Sequence, residues 1–134
     1  MNSPIQKFQV EATSRTPKVN LDHETGKIEI KGRSIPENTI GFWGPVLDWL
    51  QQYTSDPKSF TEAHFCLDYF NTSSTKCILD SLRALKRITD DKKGTLKVNW
   101  YYEDGDDDMY DAGVDFRGIV KISEFEIIMI PPEE

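Results

Sequence analysis

The stretch Thr61-Glu62-Ala63-His64-Phe65-Cys66-Leu67-Asp68-Tyr69-Phe70, running straight into Asn71-Thr72-Ser73-Ser74-Thr75, decides how the rest of the chain is read. In its first part Ala63, Phe65, Leu67 and Tyr69 share one face, while Cys66 and Phe70 give the other face apolar character too, as in a central strand. Beyond the polar run the period changes. Ile78, Leu82, Leu85 and Ile88 recur at helical spacing, with Lys76, Arg83, Lys86 and Arg87 available to solvent, which predicts an amphipathic helix from about Ser73 to Thr89. Basic residues near its end complement the helix dipole. A small polar cluster therefore sits where a strand hands over to a helix.

Upstream, Val19 to Asp22 and Lys27 to Lys31 bracket His23-Glu24-Thr25-Gly26 and predict a hairpin, with Ile28 and Ile30 alternating against Lys27, Glu29 and Lys31. An extended piece near Ile5 to Ala12 precedes it. Ser34-Ile35-Pro36-Glu37 has capping-box spacing, with Pro where no amide is needed, and predicts the start of a helix reaching about Tyr53. Ile40, Trp43, Val46, Leu47 and Leu50 form its inner face, and Gly41, Gly44 and Pro45 weaken or bend its first turns. Downstream, Asp91 to Gly94 makes a turn, and Leu96, Val98, Trp100 and Tyr102 alternate with Lys97, Asn99 and Tyr101 as a strand. A short acidic helix, roughly Asp106 to Phe116, leads to a last strand with Phe125, Ile127 and Met129. Strands alternating with helices imply right-handed crossovers and an α/β sheet faced by helices. No repeat or linker interrupts the pattern, so residues 1–134 are expected to form a single domain.

The balance of charge narrows the function. Sixteen Lys and Arg against 23 Asp and Glu leave −7, which repels phosphate backbones and anionic lipid and argues against nucleic-acid and membrane binding. No apolar run approaches the ~20 residues of a membrane span, and Met1-Asn2-Ser3-Pro4 lacks the pattern of a secretory signal, so the expectation is a cytoplasmic protein. Cys66 and Cys77 lie in apolar patterning and are expected as reduced, buried thiols. His23 and His64 form no metal-ligand spacing and are expected as a turn and a strand residue. There is no G-x-S-x-G elbow, P-loop, dinucleotide fingerprint or Cys-x-x-Cys pair, so neither an enzyme nor a cofactor is indicated.

At the strand-to-helix junction, one N-cap accounts for one or two of the five polar residues Asn71 to Thr75. The remainder is a surplus of hydroxyls at the carboxyl end of a strand, where ligands and modifications gather in α/β sheets. A phosphate there would add roughly −1.5 to −2 charges beside the positive end of a helix dipole, preserving the fold while changing the surface. In Ser34-Ile35-Pro36-Glu37-Asn38, capping explains the helix entry, while Arg33 and Asn38, with Glu37 between, are left as a possible partner surface.

Leu67-Asp68-Tyr69-Phe70-Asn71-Thr72-Ser73-Ser74 followed by a helix resembles the phosphorylation segment of the SiaC family of bacterial regulatory phosphoproteins. Thr16-Pro17, Gly32-Arg33-Ser34-Ile35-Pro36-Glu37-Asn38, the Trp49-Leu50 helix and Trp100-Tyr101-Tyr102-Glu103 leading to Met109 are similar to further blocks of that family, in order, over residues 16 to about 125. The resemblance implies a STAS-like α/β fold of the kind found in anti-sigma-factor antagonists, with an N-terminal hairpin and helices packed on a mixed sheet. It also implies a partner switch. A dedicated protein kinase would phosphorylate Thr72, a PP2C-type phosphatase would reverse this, and Asn71, Ser73 and Ser74 would shape the phosphosite. The unmodified form would bind and activate a diguanylate cyclase, a GGDEF protein, promoting cyclic di-GMP synthesis and biofilm growth. One departure is Val114, where the family usually carries an acidic residue.

Two rival expectations remain. The same fold could release a sigma factor in the manner of an anti-sigma-factor antagonist. Alternatively Asp104, Asp106, Asp108 and Asp115 could serve a metal-dependent enzyme, since they fall at ligand positions of a calcium loop. That loop has Met109 where it needs Gly, and Asp115 is shorter than the bidentate Glu, so helix N-capping is the simpler reading of the acidic run.

Overall fold

The computed structural model describes residues 5–132. The chain order is β1 (Phe8–Val10), β2 (Lys18–Asp22), β3 (Lys27–Ser34), α1 (Thr39–Ser55), β4 (Phe60–Phe70), α2 (Thr72–Asp90), β5 (Thr95–Glu103), α3 (Asp107–Val120) and β6 (Phe125–Ile130). The strands form one mixed sheet in the order β1-β2-β3-β4-β5-β6. β1, β2 and β3 pair antiparallel, and β3 through β6 pair parallel. This is the α/β architecture that the alternating periods imply, hairpin included.

Each parallel step is a strand-helix-strand crossover, and successive crossovers of one hand moving in one direction place their helices on one side of the sheet. α1 packs on α2 and α2 on α3 accordingly. Val19, Leu21, Ile28, Ile30, Ala63, Phe65, Val98 and Trp100 point into this layer and are buried, as are Ile78, Leu82, Leu85 and Ile88 of α2. The side chains between them on each strand face the other way, where no element among the described residues covers them. α3 comes close to β5 because residue 113 is Gly: a Cβ there would lie 2.5 Å from Trp100 Cδ1. Trp100 stacks near Phe65 and Phe116 and donates its indole N–H to Met109 O at 3.0 Å. At the hairpin turn Gly26 has φ +75°, and a Cβ would meet Phe60 O at 2.5 Å, so only glycine closes this corner.

Three expectations fail, each for a local reason. The first is the start of α1. Ser34 is still in β3, and its hydroxyl faces inward to Trp43 and Ser74 rather than capping a helix. The cap is Asn38, whose Oδ1 accepts from Gly41 N at 3.0 Å. Thr39 then faces α2, and Ile40, expected inside, is turned out and 81% exposed. The second is the end of β4. Gly32 pairs with Leu67 but Arg33 pairs with Tyr69, leaving Asp68 as a bulge. The extra residue reverses the alternation: Tyr69 is 55% exposed, and Phe70 turns inward against Trp100 and Phe116. The thiols also differ from expectation. Cys66 and Cys77 are not disulfide-bonded to one another and are half-buried rather than buried, because one lies on the uncovered sheet face and the other on the flank of α2.

Candidate functional site

The β4–α2 junction is held from beneath by hydroxyls. Asn71 donates its backbone N–H to Ser34 O at 3.0 Å. Its side-chain Oδ1 caps α2 by accepting from Ser74 N at 3.0 Å, and also accepts from the hydroxyls of Ser74 at 2.7 Å and Ser73 at 3.0 Å. Ser74 is fully buried, with its Oγ 2.8 Å from Ser34 Oγ. The Trp43 indole can only donate, and it does so to Ser34 Oγ at 3.1 Å. The Ser74 hydroxyl has two acceptors in reach, Asn71 Oδ1 at 2.7 Å and Ser34 O at 3.1 Å. A continuous hydrogen-bonded network thus runs from Trp43 in α1 to the cap of α2.

Beside this chain, Ser73 Oγ lies 2.8 Å from Thr39 Oγ1, which ties the first turns of the two helices together. Thr72 is the first residue of α2 and is exposed. Its hydroxyl makes no hydrogen bond among the described residues. Its own amide and that of Ser73 lie in the first turn, where no intrahelical carbonyl can reach them. The first turn of α2 contains no acidic residue, in contrast to α3, whose first turn holds Asp107 and Asp108. A dianion on Thr72 would therefore meet a helix dipole and open amides without a carboxylate of the same turn opposing it. One turn on, burial and then the neighbouring Asp80 push the Cys77 thiol up, which leaves it a poor nucleophile at neutral pH.

Residues 10–130 match the SiaC family regulatory phosphoprotein. The chain belongs to the SiaC family. An uncharacterised protein of Pseudomonas aeruginosa (strain UCBPP-PA14) is 28% identical over 110 residues, 82% of this chain and 86% of that protein. Among solved structures, apo-SiaC from Pseudomonas aeruginosa superposes with a TM-score of 0.81 at 26% identity, covering 93% of this chain and 99% of the other. The same organism's diguanylate cyclase SiaD in complex with its activator SiaC gives a TM-score of 0.84 at 26% identity, over 92% and 99% of the two chains.

In this SiaC-family protein the other sequence-predicted residues take definite places. Asn38 is the N-cap of α1, Glu37 is exposed and paired with Arg15 at 3.4 Å, and Arg33 is exposed opposite Tyr69. The family fold brings Asn71, Ser73 and Ser74 into one network with Ser34, Thr39 and Trp43. The last three escape a reading of the sequence, because their partners lie more than thirty positions away or in another element. In the acidic segment, Asp106 Oδ1 accepts from Met109 N at 3.1 Å and caps α3, with Asp107 and Asp108 in the turn it opens. Among the described residues, no group of three or more His, Cys, Asp or Glu converges on a metal position.

A concavity lies on the uncovered sheet face. It has a volume of about 370 Å³ and is lined in part by Lys27, Glu29, Lys31, His64 and Tyr101. His64 Nδ1 is 2.7 Å from Tyr101 Oη, and the two rings lie nearly parallel with centroids 5.8 Å apart. Burial foremost, and the Glu62 carboxylate next, push the Tyr101 phenol up, so it is protonated at neutral pH. No sequence motif marks this groove; alternation in β3, β4 and β5 is its only trace.

Proposed function

We propose that this protein is a non-catalytic cytoplasmic switch whose unmodified form binds and activates a diguanylate cyclase, raising cyclic di-GMP. A dedicated kinase turns it off by phosphorylating Thr72, and a PP2C-type phosphatase turns it on again. The observation that carries this reading is the Thr72 hydroxyl, exposed at the first position of α2 and unused by the fold. The likeness to a SiaC that stands in complex with a cyclase as its activator supports the choice of partner.

Phosphorylation replaces a neutral hydroxyl by a group of roughly −1.5 to −2 charges with three acceptor oxygens. Asn71 already satisfies Ser74 N, so the modified side chain has no structural bond to displace. What changes is the rim of the sheet presented to a partner. The test is incubation of purified protein with its cognate kinase and ATP, read by intact mass. One phosphate is expected on the wild type and none on Thr72→Ala, while the unmodified protein raises cyclase turnover and the phosphorylated form does not. Transfer that persists in Thr72→Ala overturns the assignment.

A further inference from the structure

The sheet ends on two unequal edges. β1 is three residues long, and the chain just before it is tied to α1 by the Trp49 indole, which donates to Gln6 O. β6 spans six residues, Phe125-Glu126-Ile127-Ile128-Met129-Ile130, holds unbroken register with β5, and contains no Pro, Gly or Lys. Its one charge, Glu126, is already paired with Lys97 at 3.3 Å. Proteins usually blunt a free edge with a bulge, a proline, a lysine or a very short strand, since its open N–H and C=O groups otherwise pair with another strand. β1 is blunted in that way and β6 is not.

Which backbone groups of β6 are open follows from its ladder. Val98 N–H donates to Glu124 O and Asp104 N–H to Ile130 O, so the even-numbered residues of β6 turn their backbone groups to β5. Phe125, Ile127 and Met129 turn theirs outward, where no strand among the described residues meets them. The same strand under a two-fold axis offers a mate for each. With Ile127 opposite itself, Phe125 pairs with Met129 of the second copy, and every outward N–H finds an outward C=O. The side chains agree with this register. On the helix side Phe125 meets Met129, which is 56% exposed, and Ile127 meets Ile127, while on the open face Glu126 meets Ile128. Neighbouring registers fail: one step toward the amino end sets Glu126 against Glu126, and one step the other way sets Phe125 against Pro131, which has no N–H to give.

We infer that the β6 edge is a self-association site, occupied by β6 of a second copy of this chain, paired antiparallel about Ile127 into one continuous sheet. The occupant is a copy rather than an unrelated strand because a single two-fold register satisfies the backbone groups, the apolar side chains and the carboxylates together. The axis of such a pair stands perpendicular to the sheet, so the helices of both copies stay on one side. It also reverses strand direction, which sets the two β4–α2 junctions at opposite ends of the joined sheet. Both Thr72 hydroxyls stay open, and the dimer presents one modifiable helix start at each end.

The experiment is sedimentation of the purified full chain from about 1 μM to about 1 mM, a range that brackets micromolar to millimolar dissociation constants. Salt is held at about 0.15 M, where a screening length of about 8 Å limits repulsion between two chains of net charge −7. The mass is expected to rise from 15.4 kDa toward twice that value. Over the same range, amide hydrogen exchange at Ile127 and Met129 is expected to slow at least tenfold, while Ile128, already bonded to β5, changes little. Met129→Lys is expected to weaken association at least tenfold, and Ile40→Lys, at an exposed position on α1, to leave it within twofold. Far-UV circular dichroism with thermal melts checks that both variants are folded. A chain that stays at 15.4 kDa up to the highest concentration overturns the site. So does a dimer in which the Ile127 and Met129 amides exchange as they do in the single chain, or one that Met129→Lys forms as well as the wild type.

Discussion

Helices α1 and α2 both begin behind an asparagine, side by side, yet the two starts are built differently. Asn38 is exposed and makes one capping bond, to Gly41 N at 3.0 Å; a Cβ at residue 41 would lie 2.6 Å from its Nδ2. Asn71 gathers three donors on one oxygen, anchors its own N–H to β3, and rests on the buried hydroxyls of Ser74 and Ser34. The difference shows what a modifiable helix start requires. When the cap is secured from below, the outward hydroxyl of the first residue is left with no structural duty. Thr72 occupies that position over α2, whereas the corresponding hydroxyl of α1, Thr39, is engaged with Ser73.

The contrast sets an order of stabilities that urea unfolding at constant m-value would read directly. Ser34→Ala carries the largest expected loss, about 2–3 kcal/mol, because it strands the buried Trp43 indole N–H and removes a partner of Ser74. Asn71→Ala follows at about 1–2 kcal/mol, the upper range for a lost N-cap, since one oxygen that accepts from Ser74 N, Ser74 Oγ and Ser73 Oγ is removed at once. Asn38→Ala, losing one exposed bond, is expected at about 0.5–1 kcal/mol. Should it cost more than Asn71→Ala, the distinction between the two starts is broken. Thr72→Ala is expected to stay within about 0.5 kcal/mol of wild type, as for a surface substitution that touches nothing. A loss above 1 kcal/mol there would mean that its hydroxyl serves the fold after all.

How far the sequence discloses this molecule follows from the range of each interaction. The inner stripe of α2, Ile78, Leu82, Leu85 and Ile88, is written in a period of three and four, and all four residues are fully buried. The hairpin is similarly local, since Gly26 closes it within the turn. The polar run at Asn71 to Thr75 stands out because it is contiguous. Ser34 was misleading for the opposite reason: S-x-x-E spacing is a local sign, but its hydroxyl is taken by Ser74, forty residues on. The bulge at Asp68 leaves no mark in composition, so Tyr69 could not be placed on the open face from alternation alone. Arg33 has no core role in the sequence pattern, whereas its place beside Tyr69 on an uncovered surface follows only from the sheet.

Strand order along the sheet is the same as order along the chain, and this has a mechanical consequence. The first and last strands, β1 and β6, lie on opposite margins, separated by five inter-strand steps of about 4.8 Å, or roughly 24 Å. A load applied between them runs across the hydrogen-bond ladders and peels the sheet one strand at a time. A load along neighbouring strands such as β3 and β4 must instead shear a whole ladder at once, so the same protein should resist pulling far better in one direction than in the other.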